Sequence, residues 1–436
     1  MDNYLNNNTY YNDFIKTTQK FNEFKNRSIP LCAAENAVSK FVRLPLLSSA
    51  QEKYVMGGCL EYINDDNFIG GETIYPYYDI INRQCNLLFN SNYADARTLS
   101  GMNSVTTLLM SITQPGDTVA ITCPDCGGHA SIPDICHRLG LKTIDLPFNY
   151  DNFELDYYEI NKTINEQKIS AILISLSDII AIPNFSKIDL SKEVPIIYDA
   201  TQTLGLIAGN KVKNPFEDFD DMYPFILMGA THKTIPGPSA SLIMTRNLFI
   251  ANKIEKRINP MFIRNTQMNQ KMSLILALLE MEYFGKEYSD LIVSNANCLS
   301  KLLLDYSFNV PILKNAFTET HQVFFCCSEE EMKEFYKNCD YYNITLNFKT
   351  KKLFKQSGIR IGTQEVSRYN WNEDDLTILS KVLNMLMEHP AAYKNIDIDK
   401  QIEELLFELR NKKTISFTFK EEFYEQAFKN VRLWIE

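Results

Sequence analysis

The sequence predicts an α/β fold in which a mostly parallel sheet is flanked by helices and followed by a smaller α+β lobe. Three observations predict it. Short apolar runs at 117–122, 142–146, 169–177, 194–199 and 225–229 alternate with helical patterns, the order that builds a parallel sheet from strand–helix–strand units. Beyond about residue 290 the pattern changes to a helix over 290–304, short strands around Val323 and Phe348, and a helix ending near His389. Finally, 436 residues at 45% hydrophobic content suffice for one large core and a second, smaller one.

In chain order, residues 1–50 read as an N-terminal arm, 51–290 as the large domain, 291–390 as the small α+β domain and 391–436 as a C-terminal extension. Within the extension, Ile402, Leu405, Leu406 and Leu409 have the i, i+3, i+4, i+7 spacing of an amphipathic packing helix. Gly-Gly, Pro-Asp and Asn-Tyr pairs punctuate the connections of the large domain, so functional groups belong on loops at the strand ends.

Composition excludes several classes of partner. The apolar runs are far shorter than the roughly 20 residues that span a bilayer, and the first residues lack the basic region and apolar block of a secretory signal. A net charge of -10 argues against a nucleic-acid surface, which needs a basic stripe to neutralise phosphates. Ten cysteines without a disulfide-framework spacing suit a reducing compartment. The expectation is a cytoplasmic protein with neither nucleic acid nor membrane as partner.

Two strand ends carry candidate chemistry. In Tyr198-Asp199-Ala200-Thr201-Gln202-Thr203 a buried-strand pattern ends in a carboxylate, which is costly unless it meets a cation. Such an Asp serves as a helix N-cap, a metal ligand or the partner of a protonated pyridine nitrogen. The next strand delivers Thr231-His232-Lys233-Thr234-Ile235-Pro236-Gly237-Pro238, placing a lysine in a Gly/Pro-rich turn where desolvation makes an amine nucleophilic. Cys123-Pro124-Asp125-Cys126 has the spacing of redox and zinc sites, but no second pair follows at ligand distance, so the pattern favours two free thiols near the site.

The segment 231–238, with Tyr198-Asp199 and Gly205-Leu206-Ile207-Ala208-Gly209, resembles serine hydroxymethyltransferase and its fold-type-I pyridoxal-phosphate relatives. Leu31-Cys32-Ala33-Ala34-Glu35-Asn36, Ser100-Gly101-Met102-Asn103, Gly127-Gly128-His129 and Ser357-Gly358-Ile359-Arg360-Ile361-Gly362-Thr363 agree in order, so the similarity spans roughly residues 30 to 390. The stretches around Phe284-Gly285-Lys286, Val293-Ser294-Asn295 and Thr318-Glu319-Thr320-His321 look closer to the L-threonine transaldolase branch.

The resemblance implies a seven-stranded sheet, pyridoxal 5'-phosphate as cofactor and a homodimer. It implies that Lys233 carries the cofactor as a Schiff base, Asp199 pairs with the pyridine nitrogen, His129 stacks on the ring and Ser177 bonds the phenolate. The phosphate would rest around Ser100, Gly101 and Met102 at a helix start. Gln202, Thr231 and His232 complete the cofactor surroundings. Arg360 would clamp the substrate carboxylate, with Glu35 in the substrate segment and Tyr54 reaching in from the partner subunit.

Three departures bear on substrate. Gln202 stands where the family has histidine, and an amide does not titrate near neutrality; Ala34 stands where the hydroxymethyltransferases carry serine. The catalytic glutamate of the family aligns with Met56 counting forward from Glu35 and with Glu61 counting back from Gly70-Gly71. With Met56 the folate-dependent transfer should fail; with Glu61 it remains open. The function implied is aldol or retro-aldol chemistry on β-hydroxy-α-amino acids, a glycine unit adding to an aldehyde. The alternative is other chemistry of the same cofactor on a small amino acid: aminotransfer, racemisation, β-elimination or decarboxylation.

Overall fold

The computed structural model describes residues 5, 7–54, 69–189, 191 and 193–431. Met56 and Glu61 lie outside the described residues, so the alignment choice between them is not decided by the fold.

Seven strands form the main sheet: β1 (Tyr93–Asp95), β2 (Thr118–Ile121), β3 (Lys142–Asp145), β4 (Ala171–Ser175), β5 (Ile196–Asp199), β6 (Phe225–Ala230) and β7 (Ser241–Thr245). Their spatial order is β1-β7-β6-β5-β4-β2-β3, with β7 antiparallel to both neighbours and the remaining pairs parallel. Every residue of β4, β5, β6 and β7 is buried, as expected where helices cover both faces of a sheet. The run at 169–177 stops as a strand at Ser175 because Leu176 turns away to make an antiparallel bridge with Gly128. That turn opens the sheet at its carboxyl edge.

The small domain holds a three-stranded antiparallel sheet of β8 (Gln322–Cys326), β9 (Asn347–Lys349) and β10 (Gly358–Gly362), in the order β8-β10-β9. Helices Glu329–Tyr341 and Glu373–Glu388 pack on it, each opened by a capping box that satisfies its first N–H groups. The amphipathic stripe of the extension becomes helix Ile396–Arg410, with Ile402, Leu406 and Leu409 buried. Among the described residues no helix is long and apolar enough to cross a membrane.

The helix expected to begin at 290 begins at Met268 and runs to Asp305. Its early buried positions, Leu274, Leu278, Met281 and Ile292, join the core of the large domain; Ala296, Leu299 and Leu303 join that of the small one. The N-terminal half has no clear helical stripe: Leu274 to Leu279 is one unbroken apolar run, which periodicity alone does not distinguish from a buried strand. One helix therefore serves two cores. The chain beyond 410 returns to the large domain, where Tyr424 and Phe428 pack on Phe41 and the Phe417 carbonyl accepts from Arg368.

Candidate active site

A cavity of about 220 Å³ opens at the carboxyl ends of β4, β5 and β6, where parallel sheets place their sites. Asp199 and Ser175 stand opposite each other as the last residues of adjacent strands. The Ser175 hydroxyl donates to Asp199 Oδ2 at 2.8 Å, and the Thr201 backbone N–H donates to Oδ1 at 3.0 Å. Helix Leu204–Ala208 has Thr203 at its N-cap, so Asp199 is not the cap that the sequence left open. Among the described residues no group of three or more His, Cys, Asp or Glu side chains converges as a metal site. The carboxylate faces the cavity with both oxygens already oriented.

Lys233 follows β6 into a turn closed on itself: the Thr231 hydroxyl donates to the Pro238 carbonyl at 2.8 Å and the Gly237 N–H to the Thr231 carbonyl at 3.0 Å. From the arm, the Asn36 amide donates to the Lys233 carbonyl and to Tyr288 Oη, while Thr234 Oγ1 accepts from the Gly205 N–H at 2.9 Å. Only glycine fits at 205, since a Cβ there would stand 2.2 Å from the Thr234 carbonyl oxygen. Burial holds the Lys233 amine below its ordinary pKa; Asp199 opposes that shift and Arg360 adds to it. An amine so placed is more readily neutral, hence nucleophilic.

His129 leaves the Cys123–Cys126 turn and lines the same cavity, its backbone N–H on the Ser175 carbonyl and its Nδ1 accepting from the Ser131 N–H at 3.3 Å. Burial lowers its pKa, so the ring is neutral near pH 7. Cys123 is held at about 6, chiefly by a hydrogen bond with Cys126, and both thiols are unpaired. Opposite them, helix Gly101–Ile112 begins with Ser100 as N-cap, its oxygen accepting from the Asn103 N–H at 3.2 Å, and Ser100, Gly101 and Met102 line the cavity.

Ser177, Gln202 and His232 also line it. Gln202 is fixed by Gln322, whose amide donates to Gln202 Oε1 at 3.1 Å and to the Ser177 carbonyl at 3.0 Å. Thr231 does not line the cavity; its hydroxyl shapes the lysine turn. Arg360, on β10, lies behind Ser177, donating from Nη1 to the Ser177 carbonyl at 2.9 Å and to Asp178 at 2.8 Å, and from Nη2 to Asn347 at 2.8 Å. The Glu35 side chain is exposed, its carbonyl accepting from Gln364, and Tyr54 is 43% exposed, apart from the cavity.

Sequence reasoning missed Ser175, Asn36, Gln322 and Asp178 as parts of this arrangement. Ser175 had a signal, since it ends the strand next to the one that ends in Asp199. The other three meet the site only through tertiary contacts.

These residues fit pyridoxal phosphate. The lysine amine, the oriented carboxylate and the neutral imidazole are the groups its aldehyde and ring require, and the helix start suits a phosphate. Two buried nitrogens beside the site, His232 Nδ1 and Arg360 Nε, have no hydrogen-bond partner among the described residues, as expected where a ligand supplies the acceptors. A family model described as serine hydroxymethyltransferase matches residues 8–383. The serine hydroxymethyltransferase of Archaeoglobus fulgidus is 28% identical over 413 residues, covering 90% of each chain, and that of Methanocaldococcus jannaschii is 30% identical, covering 95% of this chain and 96% of the relative. The L-threonine transaldolase of Pseudomonas fluorescens shares the fold at a TM-score of 0.86, with 22% identity over 98% of this chain and 99% of that one. The chain belongs to the serine hydroxymethyltransferase family and is a pyridoxal-phosphate-dependent enzyme of the transferase and aldolase kind.

Proposed function

We propose that the enzyme breaks and forms the Cα–Cβ bond of β-hydroxy-α-amino acids, moving a glycine unit from one aldehyde to another. One observation carries this reading. Among the described residues lining the cavity, the sole carboxylate is Asp199, already engaged by Ser175 and Thr201, which supports proton handling by the nitrogen bases beside it. The buried amine of Lys233, lowered in pKa, suits removal of a proton from a β-hydroxyl, and His129, neutral and in the same cavity, orients the reacting group. Pyridoxal phosphate supplies, when bound, the electron sink for the pair left on Cα. Arg360 offers its unpartnered Nε toward the amino-acid carboxylate, held in place by the Ser177 carbonyl, Asp178 and Asn347. Gln202, tied to Gln322, contributes a fixed amide that does not titrate.

A homodimer belongs to this proposal. Helix Thr9–Arg27 buries none of its residues, yet Tyr10, Phe14 and Phe21 are 85%, 64% and 61% exposed. A helix with that much aromatic surface suits a second copy as cover, and Tyr54 would then reach a site in the partner. A cytoplasmic enzyme with its thiols reduced is part of the same proposal, supported by ten cysteines without a disulfide-framework spacing.

The test is mass spectrometry of products from threonine, serine, glycine and alanine, each with and without a panel of aldehydes. Acetaldehyde released from threonine, with a new β-hydroxy-α-amino acid formed when an aldehyde is added, is the expected result. Absence of both products would overturn the proposal, and pyruvate from alanine would point instead to aminotransfer.

A further inference from the structure

Behind the cavity wall lies a charge cluster that the proposed reaction does not use in full. Asp178, its side chain fully buried, is met by Lys349 Nζ at 3.1 Å, Lys351 Nζ at 2.7 Å and Arg360 Nη1 at 2.8 Å. The side chains of both lysines are 18% exposed and that of Arg360 6%. Three cations against one carboxylate leave an excess of two positive charges in a site nearly closed to water. Unbalanced buried charge is strongly unfavourable, so the cluster is incomplete without anions. Among the described residues Lys349 has only Asp178 as a charged partner of opposite sign; burial, Arg360 and Lys351 all push its pKa down. Arg360 Nε, buried and without an acceptor among the described residues, marks the same deficit independently.

The cluster abuts the reaction cavity at two points. Arg360 Nη1 donates to the carbonyl of Ser177, a wall residue, and Lys351 Nζ donates at 3.3 Å to the carbonyl of Gly128, the neighbour of His129. The carboxylate of a bound amino acid at Arg360 cancels one of the two surplus charges. A carboxylate on the other reactant, whose substituent becomes the substituent on Cβ, would cancel the second. A single carboxylate closes the balance, whereas a phosphate dianion exceeds it.

We infer that Lys349 and Lys351 form an anion subsite beside Arg360, and that the preferred aldehyde carries a carboxylate. The word aldehyde rests on the proposed aldol reading; the anion subsite does not. Asp178 is the positioning residue that gathers the two ammonium groups and the guanidinium, and the carbonyls of Gly128 and Ser177 tie Lys351 and Arg360 to the cavity wall.

The experiment is titration calorimetry of the holoenzyme with matched acids: succinate against butyrate, and glutarate against valerate. The diacids should bind at least about tenfold more tightly, the scale of one added charge pair in a partly buried site. That ratio should fall toward one in Lys349→Met/Lys351→Met and persist in Lys349→Arg/Lys351→Arg. Equal binding of diacid and monoacid by the wild type overturns the inference, as does a ratio that survives the double methionine variant. If the double variant does not fold, the wild-type ratio and that of Lys351→Met alone decide. A kinetic arm compares succinic semialdehyde with butanal as acceptor, with an expected kcat/KM preference of about tenfold for the former. Selective diacid binding that needs the lysines, with no threonine cleaved under any aldehyde, would leave the subsite standing and remove the aldol reading instead.

Discussion

Ser175 donates its hydroxyl to Asp199 Oδ2 at 2.8 Å from the exact register position opposite, so two strand ends jointly aim one carboxylate. The aspartate needs this help because it sits at the mouth of a parallel sheet, where its own strand no longer constrains it. With the Thr201 N–H on the other oxygen, the group is preorganised for a cationic ring nitrogen and has little freedom to swing away.

Ser175→Ala should therefore weaken pyridoxal phosphate binding by about tenfold, the value of one hydrogen bond to a charged group. Absorbance titration of the apoenzyme with cofactor measures it. An unchanged dissociation constant would show that Thr201 alone suffices.

Lys233→Ala should abolish the visible absorbance that the wild type gains with cofactor and lower turnover by about 10³-fold or more, because both the covalent anchor and the buried base are lost. Far-UV circular dichroism should be unchanged, since the turn is held by Thr231, Gly237 and Asn36 rather than by the lysine side chain.

His321 gives a prediction in pH. It is fully buried, its Nε2 on the Ala33 carbonyl at 3.1 Å, and burial lowers its pKa to about 3. Below about pH 6.5, the ordinary value, the unfolded chain binds a proton that the folded chain refuses, so stability falls as pH drops from there toward 3. Between pH 7 and pH 5 that loss is about 2 kcal/mol. Urea unfolding of His321→Gln at the two pH values should show a drop smaller by about that amount; an equal drop in both proteins would rule the residue out.

Gly205→Ala forces a methyl group against the Thr234 carbonyl, next to Lys233. Overpacking of this kind costs about 1–3 kcal/mol, and the displaced turn should lower kcat more than it raises the KM for threonine. Thermal melting and steady-state kinetics on one preparation would separate the two effects.

Much of this was legible in the sequence because it rests on local pattern. The runs that became β2 to β6 are short, apolar and punctuated, and Asp199 and Lys233 end or follow them. β1 and β7 escaped: β1 is only three residues long, and β7 follows the lysine turn directly, so neither sits in a strand–helix alternation. Of the expected site residues, Ser100, Gly101, Met102, His129, Ser177, Asp199, Gln202, His232 and Lys233 meet at one cavity. Arg360 stands one layer behind, and what surrounds it was invisible. Asp178 and Asn347 meet it from two distant stretches of chain, Lys349 and Lys351 reach the same Asp178, and nothing in the local sequence announces a buried carboxylate shared by three cations.

Helix Met268–Asp305, at 38 residues about 57 Å long, contributes side chains to both cores. Lobes joined by a linker melt independently; lobes threaded on one rod do not, because fraying at either end strips contacts from the other. Calorimetry on the intact chain should accordingly show a single heat-absorption peak, with the cavity at the sheet's carboxyl edge lost in the same step as both lobes.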